Sequence, residues 1–291
     1  MADLPQDEGP LQAVPLRLYQ RSISSPSNAF ARLAIIHGYG DHSGRFLHFM
    51  QWMAQRGVAC HAVDLRGQGK AKGKRGFVAR WEEYLEDVKT FLKSLPKTDP
   101  SPLFLLGHSH GGLIAASAVV QHLPAVSALK GCILTSPYFG SRVQIPRWKI
   151  IAANLIRPFA PWARFSTGIH NDWLTSDPQM MQDTNRDPLY ARVATPGWYA
   201  GHLAAQRDVM ERAKEFELPL LLLAGGADPI ADPSVSRQFF ERVGSTDKQF
   251  ILHESCRHEL LRDTIRETIF EQILTWMKSR ALERDAKSGT A

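Results

Sequence analysis

The chain has 291 residues and only three cysteines, Cys60, Cys132 and Cys256. They are too few and too scattered for a disulfide framework or a zinc site, so no metal is expected. Cys60 and Cys132 sit in strand-like apolar runs, where a thiol packs as a small hydrophobe. Cys256 lies two residues before His258 and is read the same way, a reactive thiol being the alternative. No apolar stretch approaches the ~20 residues of a membrane span. Met1–Gly9 is acidic and has no apolar centre, so neither a signal nor a transit peptide is read there. These absences make a reducing, cytoplasmic setting the expectation. The basic runs carry no nucleic-acid recognition motif, and the glycine-rich stretch Arg66–Gly76 lacks the Walker pattern. Neither a nucleic-acid partner nor a cofactor is therefore expected.

What is present is an alternation of apolar runs and amphipathic segments, with a hydrophobic content of 44%, ordinary for a folded domain. Strand-like runs occur at Leu33–Ile36, Val58–Val63, Leu103–Leu106, Gly131–Thr135, Leu218–Leu223 and Gln249–Leu252, and Pro10–Ser22 reads as an edge strand. Helical spacing occurs at Ser43–Arg56, Trp81–Leu95, Leu113–Val120, His202–Phe216, Ser234–Val243 and Glu259–Arg280, and Ala281–Ala291 is expected to fray. Strands alternating with helices predict an α/β fold, a mostly parallel sheet covered on both faces. Ligands in such sheets bind beyond the carboxyl ends of the strands. The alternation breaks between Tyr138 and Trp198, a Pro-, Trp- and Arg-rich stretch. The expected organisation is a core over 1–137 and 201–291 with an inserted helical cap over 138–200.

Pro102–Gly112, PLFLLGHSHGG, is the stretch around which the rest is arranged. A buried strand runs into Gly107-His108-Ser109-His110-Gly111, a G-x-S-x-G pattern, and an apolar helix follows. Such a turn forces the serine into a strained conformation and lifts its hydroxyl above the sheet. The glycines on either side remove Cβ atoms that would clash across so tight a bend. A serine hydroxyl needs a base. His108 and His110 are poorly aimed from within the turn, whereas His258, between the last strand and the last helix, can reach back; His253 is its rival. The imidazole needs a carboxylate to fix its tautomer. Asp228 ends the penultimate strand in a Gly-Gly-Ala-Asp-Pro turn, Asp232 is the fallback, and Asp64 is read as fixing a turn. Oxyanion donors are expected from the backbone N–H groups of His110 and Tyr39, the latter in the turn His37-Gly38-Tyr39-Gly40. Losing one such donor typically costs about 3–4 kcal/mol in the transition state.

The order Ser109, Asp228, His258 is that of α/β-hydrolases. The chain resembles the monoacylglycerol lipase and lysophospholipase group of that superfamily. The resemblance rests on His37–Arg45 (HGYGDHSGR), Asp64–Gly69 (DLRGQG), Gly107–Gly112, Gly226-Ala227-Asp228 and His258-Glu259, and it spans nearly the whole chain. It implies a cofactor-free serine hydrolase with a helical cap over an acyl-chain tunnel. His110 stands where that group commonly has methionine, and because its backbone does the work, activity should survive. His37, Gly38, Tyr138, Trp148 and Phe159 are the expected substrate contacts.

Negative charge is missing from two stretches. Ser141–Arg164 contains Arg142, Arg147, Lys149, Arg157 and Arg164 among tryptophans and aliphatic residues, and Arg66–Arg80 is a second acid-free basic run. A basic amphipathic segment with tryptophans can lie on an anionic membrane surface. The alternative is a solvated basic face over the tunnel wall. Burying eight methylenes of an acyl chain is worth roughly 6 kcal/mol at ~0.8 each, whereas an exposed ion pair to a headgroup gives about 0–1 kcal/mol. Chain length is thus expected to govern affinity, and the expected substrate is a single-chain acyl ester, a monoacylglycerol or lysophospholipid. Two readings compete with it: an aminopeptidase-like amide hydrolase, which would want cap carboxylates for a substrate amine, and a catalytically silent binding protein of the same fold.

Overall fold

The computed structural model describes residues 4–11, 18–26, 28–96 and 99–282. Ten strands and eight helices alternate along it. The strands are β1 (Gln6–Pro10), β2 (Tyr19–Ile23), β3 (Ala31–Ile36), β4 (Val58–Asp64), β5 (Leu103–His108), β6 (Leu129–Thr135), β7 (Phe165–Ser166), β8 (Val193–Ala194), β9 (Leu220–Gly225) and β10 (Lys248–His253). The helices are α1 (Leu47–Ala54), α2 (Glu82–Ser94), α3 (His110–Val120), α4 (Arg147–Ile156), α5 (Pro178–Arg186), α6 (Pro196–Glu211), α7 (Pro233–Arg242) and α8 (Arg266–Leu282).

Eight strands form one sheet in the order β1-β2-β4-β3-β5-β6-β9-β10. From β4 to β10 every pair is parallel; β1 and β2 add an antiparallel edge. Every residue of β4, β5 and β9 is buried, which is why those runs are continuously apolar rather than alternating. One core layer packs α2, α3 and part of α6 and α7 against the sheet; the other packs α1 and α8. The α/β expectation of a mostly parallel sheet covered on both faces holds. The buried thiols of Cys60 and Cys132 lie in β4 and β6, as expected.

Several boundaries differ from the sequence expectation. The edge is made of two strands, β1 beginning within the acidic stretch; residues 12–17 of the expected Pro10–Ser22 strand lie outside the described residues, as does most of the 281–291 tail. The elbow helix begins at His110, directly after Ser109, not at Leu113. The helix expected from His202 starts at Pro196, where Thr195 caps it by accepting from the Trp198 amide and Pro196 occupies the first turn. The last helix starts at Arg266 rather than Glu259. Leu260–Arg262 is a short 3-10 turn instead, because the Glu259 and Arg262 side chains are drawn inward to buried partners.

Between β6 and α6 the chain leaves the sheet and forms α4, the two-stranded β7–β8 ribbon and α5. Two polar contacts tie this segment down: a half-buried one from His42 Nε2 to Asp187 Oδ2 at 2.7 Å, and a buried one from Arg45 Nη1 to Thr184 Oγ1 at 2.7 Å.

Candidate active site

Ser109 joins β5 to α3 with φ +53° and ψ −118°, a conformation that costs a non-glycine residue of the order of 1–3 kcal/mol. The surroundings hold it there. Its N–H donates to the Thr135 carbonyl at 2.9 Å, and its own carbonyl accepts from Gly112 and Tyr138 at 2.9 and 3.0 Å. A Cβ on Gly111 would overlap the carbonyl oxygens of Ile36 and His37, and one on Gly107 would overlap the Gly111 carbonyl. Those two positions can only be glycine at this spacing of β3, β5 and α3.

The Ser109 hydroxyl lies 2.8 Å from His258 Nε2, and His258 Nδ1 lies 2.7 Å from Asp228 Oδ2. All three side chains are buried. The other Asp228 oxygen accepts from the amides of Ile230 (2.7 Å) and Ala231 (3.0 Å), so the carboxylate is held from both sides. A carboxylate accepts, so His258 carries its proton on Nδ1 and leaves Nε2 free to accept from the serine. Burial works against a charged His258, but the charge and hydrogen bond of Asp228 outweigh it and raise the imidazole above its ordinary pKa.

The rival residues are placed elsewhere. His253 Nε2 pairs with Gln272 Oε1 at 3.0 Å, and Asp232 caps α7 by accepting from the Ser234 amide. His108 turns its Nδ1 to Thr135 at 3.1 Å, although its ring packs 5.2 Å from that of His258 and burial depresses its pKa to about 4. His110 Nε2 accepts from the Trp198 indole at 3.3 Å. Asp64 accepts from the Ser43 and Lys70 amides, the turn-fixing role expected of it. Cys256 is buried and its thiol is pushed up to about 12, which makes it an inert packing group.

A cavity of about 290 Å³ opens over Ser109. Gly38 and Tyr138, two of the five expected contacts, line it together with Tyr39, and Ile145, Ile150, Ala153, Leu174 and Ile230 form the apolar wall. The other three expected contacts do not line it. His37 is buried beneath the turn, its Nε2 accepting from the Leu65 amide at 3.0 Å and its Nδ1 donating to the Gly38 carbonyl at 2.6 Å, so it shapes the loop without facing the cavity. Trp148 and Phe159 are 64% and 84% exposed. The reason is helical phase: α4 turns Lys149, Ile150 and Ala153 to the cavity, and at 3.6 residues per turn Trp148 then points outward. Neither the Tyr39 nor the His110 amide donates to an acceptor among the described residues.

Two features of the site escape a reading of the sequence. One is an aromatic ladder along the cavity wall, in which Tyr39 stacks on Trp198 at 3.7 Å, Trp198 on His202 at 4.9 Å and His202 on Tyr138 at 4.9 Å. The i,i+4 spacing of Trp198 and His202 was its available signal. The other is a buried charge cluster under the cavity. Arg45 lies 2.7 Å from Asp41 through Nε and 2.5 Å from Glu259 through Nη2, and Arg262 Nε donates to the second Glu259 oxygen at 3.1 Å. Burial alone would raise the Glu259 pKa, but the two arginines hold it well below the usual carboxylate range.

Among the described residues no group of three or more His, Cys, Asp or Glu side chains is placed to hold a metal ion. No described helix is long and apolar enough to cross a membrane.

Residues 27–265 match the family model described as serine aminopeptidase, S33. The chain is 32% identical over 254 residues to an uncharacterized abhydrolase domain-containing protein of Dictyostelium discoideum; the match covers 86% of this chain but 26% of that much longer protein. It is 29% identical over 243 residues to the phospholipase YtpA of Bacillus subtilis, covering 83% of this chain and 92% of the relative. The crystal structure of the monoacylglycerol lipase of Paleococcus ferrophilus superposes with a TM-score of 0.81 at 25% identity, over 90% of this chain and 99% of that one.

Proposed function

The chain belongs to the serine aminopeptidase, S33 family and, within the α/β-hydrolases, to the monoacylglycerol lipase group; it is an ester hydrolase, and from that premise we propose that Ser109 is its nucleophile, acting on single-chain acyl esters. The observation that carries this reading is the continuous path Ser109–His258–Asp228, with hydrogen-bond distances of 2.8 and 2.7 Å. In the reading, the Ser109 oxygen attacks the ester carbonyl while its proton passes to His258 Nε2. The Tyr39 and His110 amides receive the developing oxyanion. His258 then protonates the departing alkoxide, and a water molecule, deprotonated by the same nitrogen, releases the acid from Ser109. Asp228 stays ionised throughout and steadies the imidazolium.

The 138–200 segment acts in this reading as a cap whose inner wall selects the acyl chain. Burial at ~0.8 kcal/mol per methylene supports chain length as the main determinant. Lys149 is the one arginine or lysine in the lining, too little to make headgroup charge dominate. Amide cleavage from a free N-terminus, which the family's description brings into view, is disfavoured by the same lining. Among the described residues its only carboxylates, Asp41 and Glu259, both face Arg45, so neither is left to receive a substrate ammonium.

The test is labelling with a fluorophosphonate probe together with a panel of p-nitrophenyl and glyceryl esters of increasing chain length. Labelling should vanish in Ser109→Ala with the fold intact, and kcat/KM should rise with chain length. Persistent labelling of Ser109→Ala would overturn the nucleophile, and acetyl esters outperforming every longer chain would overturn the substrate class.

A further inference from the structure

Three of the four rungs of the aromatic ladder have committed their polar hydrogens to the protein. The Tyr39 hydroxyl donates to the Gly76 carbonyl at 2.6 Å, the Trp198 indole to His110 Nε2 at 3.3 Å and the Tyr138 hydroxyl to Ser141 Oγ at 2.9 Å. His202 differs. Neither of its ring nitrogens has a hydrogen-bond partner among the described residues, although the residue is only 2% exposed. Of the buried side-chain polar atoms left unpaired in the described residues, His202 Nδ1 alone belongs to a residue that lines the cavity. Burying such a group without a partner is costly, so an unpaired one in a cavity wall points to an atom of a ligand. Trp198 and Tyr138 stack nearly parallel to the imidazole, at 14° and 18°, so a partner meets the ring at its edge, where the nitrogens are. Burial depresses the His202 pKa to about 3 and keeps the ring neutral, with one N–H donor and one bare nitrogen. Such an edge offers no counter-charge to a carboxylate, a phosphate or an ammonium. A hydroxyl, which both donates and accepts, matches it.

We propose, resting on the acyl-ester reading of this cavity, that His202 is a specificity-determining residue that receives a hydroxyl group carried on the acyl chain. Tyr138, the neighbouring rung, donates its amide to the Ser109 carbonyl at 3.0 Å, so His202 stands one ring away from the elbow. The helix that packs against its own, α4, turns Ile150 and Ala153 to the cavity. That wall suits an acyl chain better than a polar alcohol. A plain chain fills it but leaves the imidazole edge unpaired, whereas a chain with a hydroxyl at the right depth does both. A water molecule is the weaker occupant, because it needs two to four polar partners and the donors of the other rungs are taken.

The test compares kcat/KM for propyl esters of one chain length, plain or hydroxylated near the carboxyl end, in mid-chain or at the chain end. At least one hydroxylated ester should exceed the plain one by about tenfold. In His202→Phe, which keeps a stacked ring and removes both nitrogens, that ratio should fall to about one. His202→Gln, with a donor and an acceptor, should restore part of it, and His202→Leu reads the same ratio if the phenylalanine variant does not fold. A merely structural role would change both substrates alike and leave the ratio standing. No gain at any hydroxyl position, or a gain that survives His202→Phe, overturns the proposal. So does a preference for glyceryl over propyl esters that depends on His202 without any for the chain hydroxyl, which would put the hydroxyl on the alcohol. Calorimetric binding of the corresponding free acids to Ser109→Ala reads the same preference without turnover. Preference there with no ester cleavage by the unmodified chain would sink the function and keep the subsite; cleavage without preference would do the reverse.

Discussion

Arg45 and Glu259 are 214 positions apart in the chain and meet at 2.5 Å in a site from which both are shielded from solvent. Glu259 directly follows His258, and its amide donates to the Leu174 carbonyl at 2.6 Å. Arg45 also reaches Thr184 on α5 and lies 4.7 Å from the Tyr190 ring centroid. One guanidinium thus fastens the loop bearing His258 to the segment that covers the cavity.

Removing one member of such a cluster leaves the other charges buried and uncompensated, a loss of about 3–5 kcal/mol. Arg45→Met should therefore lower stability by that amount in urea unfolding. Arg45→Lys should recover less than half, because an ammonium cannot face Asp41, Glu259 and Thr184 together. Recovery by lysine to the unmodified value would show that only the charge matters.

The elbow predicts a steric effect separable from chemistry. In Gly111→Ala the new methyl would meet two backbone carbonyls, which cannot move without separating α3 from β3. Little folded protein should be obtained, whereas Ser109→Ala, which keeps a Cβ and therefore the same backbone strain, should express and melt close to the unmodified chain. Thermal unfolding of the two variants side by side checks this.

How much of this was legible in the sequence follows from what each residue interacts with. Strands β4, β5, β6 and β9 are legible because burial on both faces demands unbroken apolar runs. Ser109 stands between Gly107 and Gly111 and Asp228 follows Gly225 and Gly226, whereas His258 has no glycine beside it and is legible only by its place after β10. Glu259 and Arg262 satisfy a helical pattern yet lie outside α8, because their side chains are claimed by Arg45 and the Met180 carbonyl. Trp148 and Phe159 read as substrate contacts in the sequence because an apolar side chain in this segment has two candidate faces, and periodicity does not say which one meets the cavity. The Arg45 cluster was invisible because its partners are contributed by segments that only the fold brings together.

The pH profile has a definite sign. Hydrolysis in the proposed mechanism needs neutral His258, whose pKa is raised, so kcat/KM should reach half its maximum at a pH above the usual ~6.5. In Asp228→Asn the two largest raising influences disappear while burial and the weaker pull of Glu259 and Asp41 remain, so the limb should move to lower pH while the rate itself falls by ~10⁴ through loss of the correct tautomer. A limb unmoved by Asp228→Asn would mean that another group governs it.

Stability should fall steeply on mild acidification, and for a different set of histidines. Burial depresses His48, His61 and His108 to about 4 and His202 to about 3, and it lowers His37, His110 and His253 as well. A depressed pKa means that the unfolded chain binds the proton first. The stabilising contribution of each is therefore complete above ~6.5 and is lost as pH falls toward the folded value. His258 works in the opposite sense, stabilising below ~6.5 and losing that contribution as pH rises through its own raised value, but it is one group against seven. Each proton taken up on unfolding contributes a slope of ~1.4 kcal/mol per pH unit, so four such histidines near pH 5 can exhaust the ~5–15 kcal/mol typical of a domain within two or three units. Urea unfolding at pH 7.5, 6 and 5 should show this decline. His48→Gln, which keeps a donor for the Leu261 carbonyl, should flatten it by about one proton's worth. A stability unchanged between pH 7.5 and 5 would mean that these imidazoles open to solvent without unfolding.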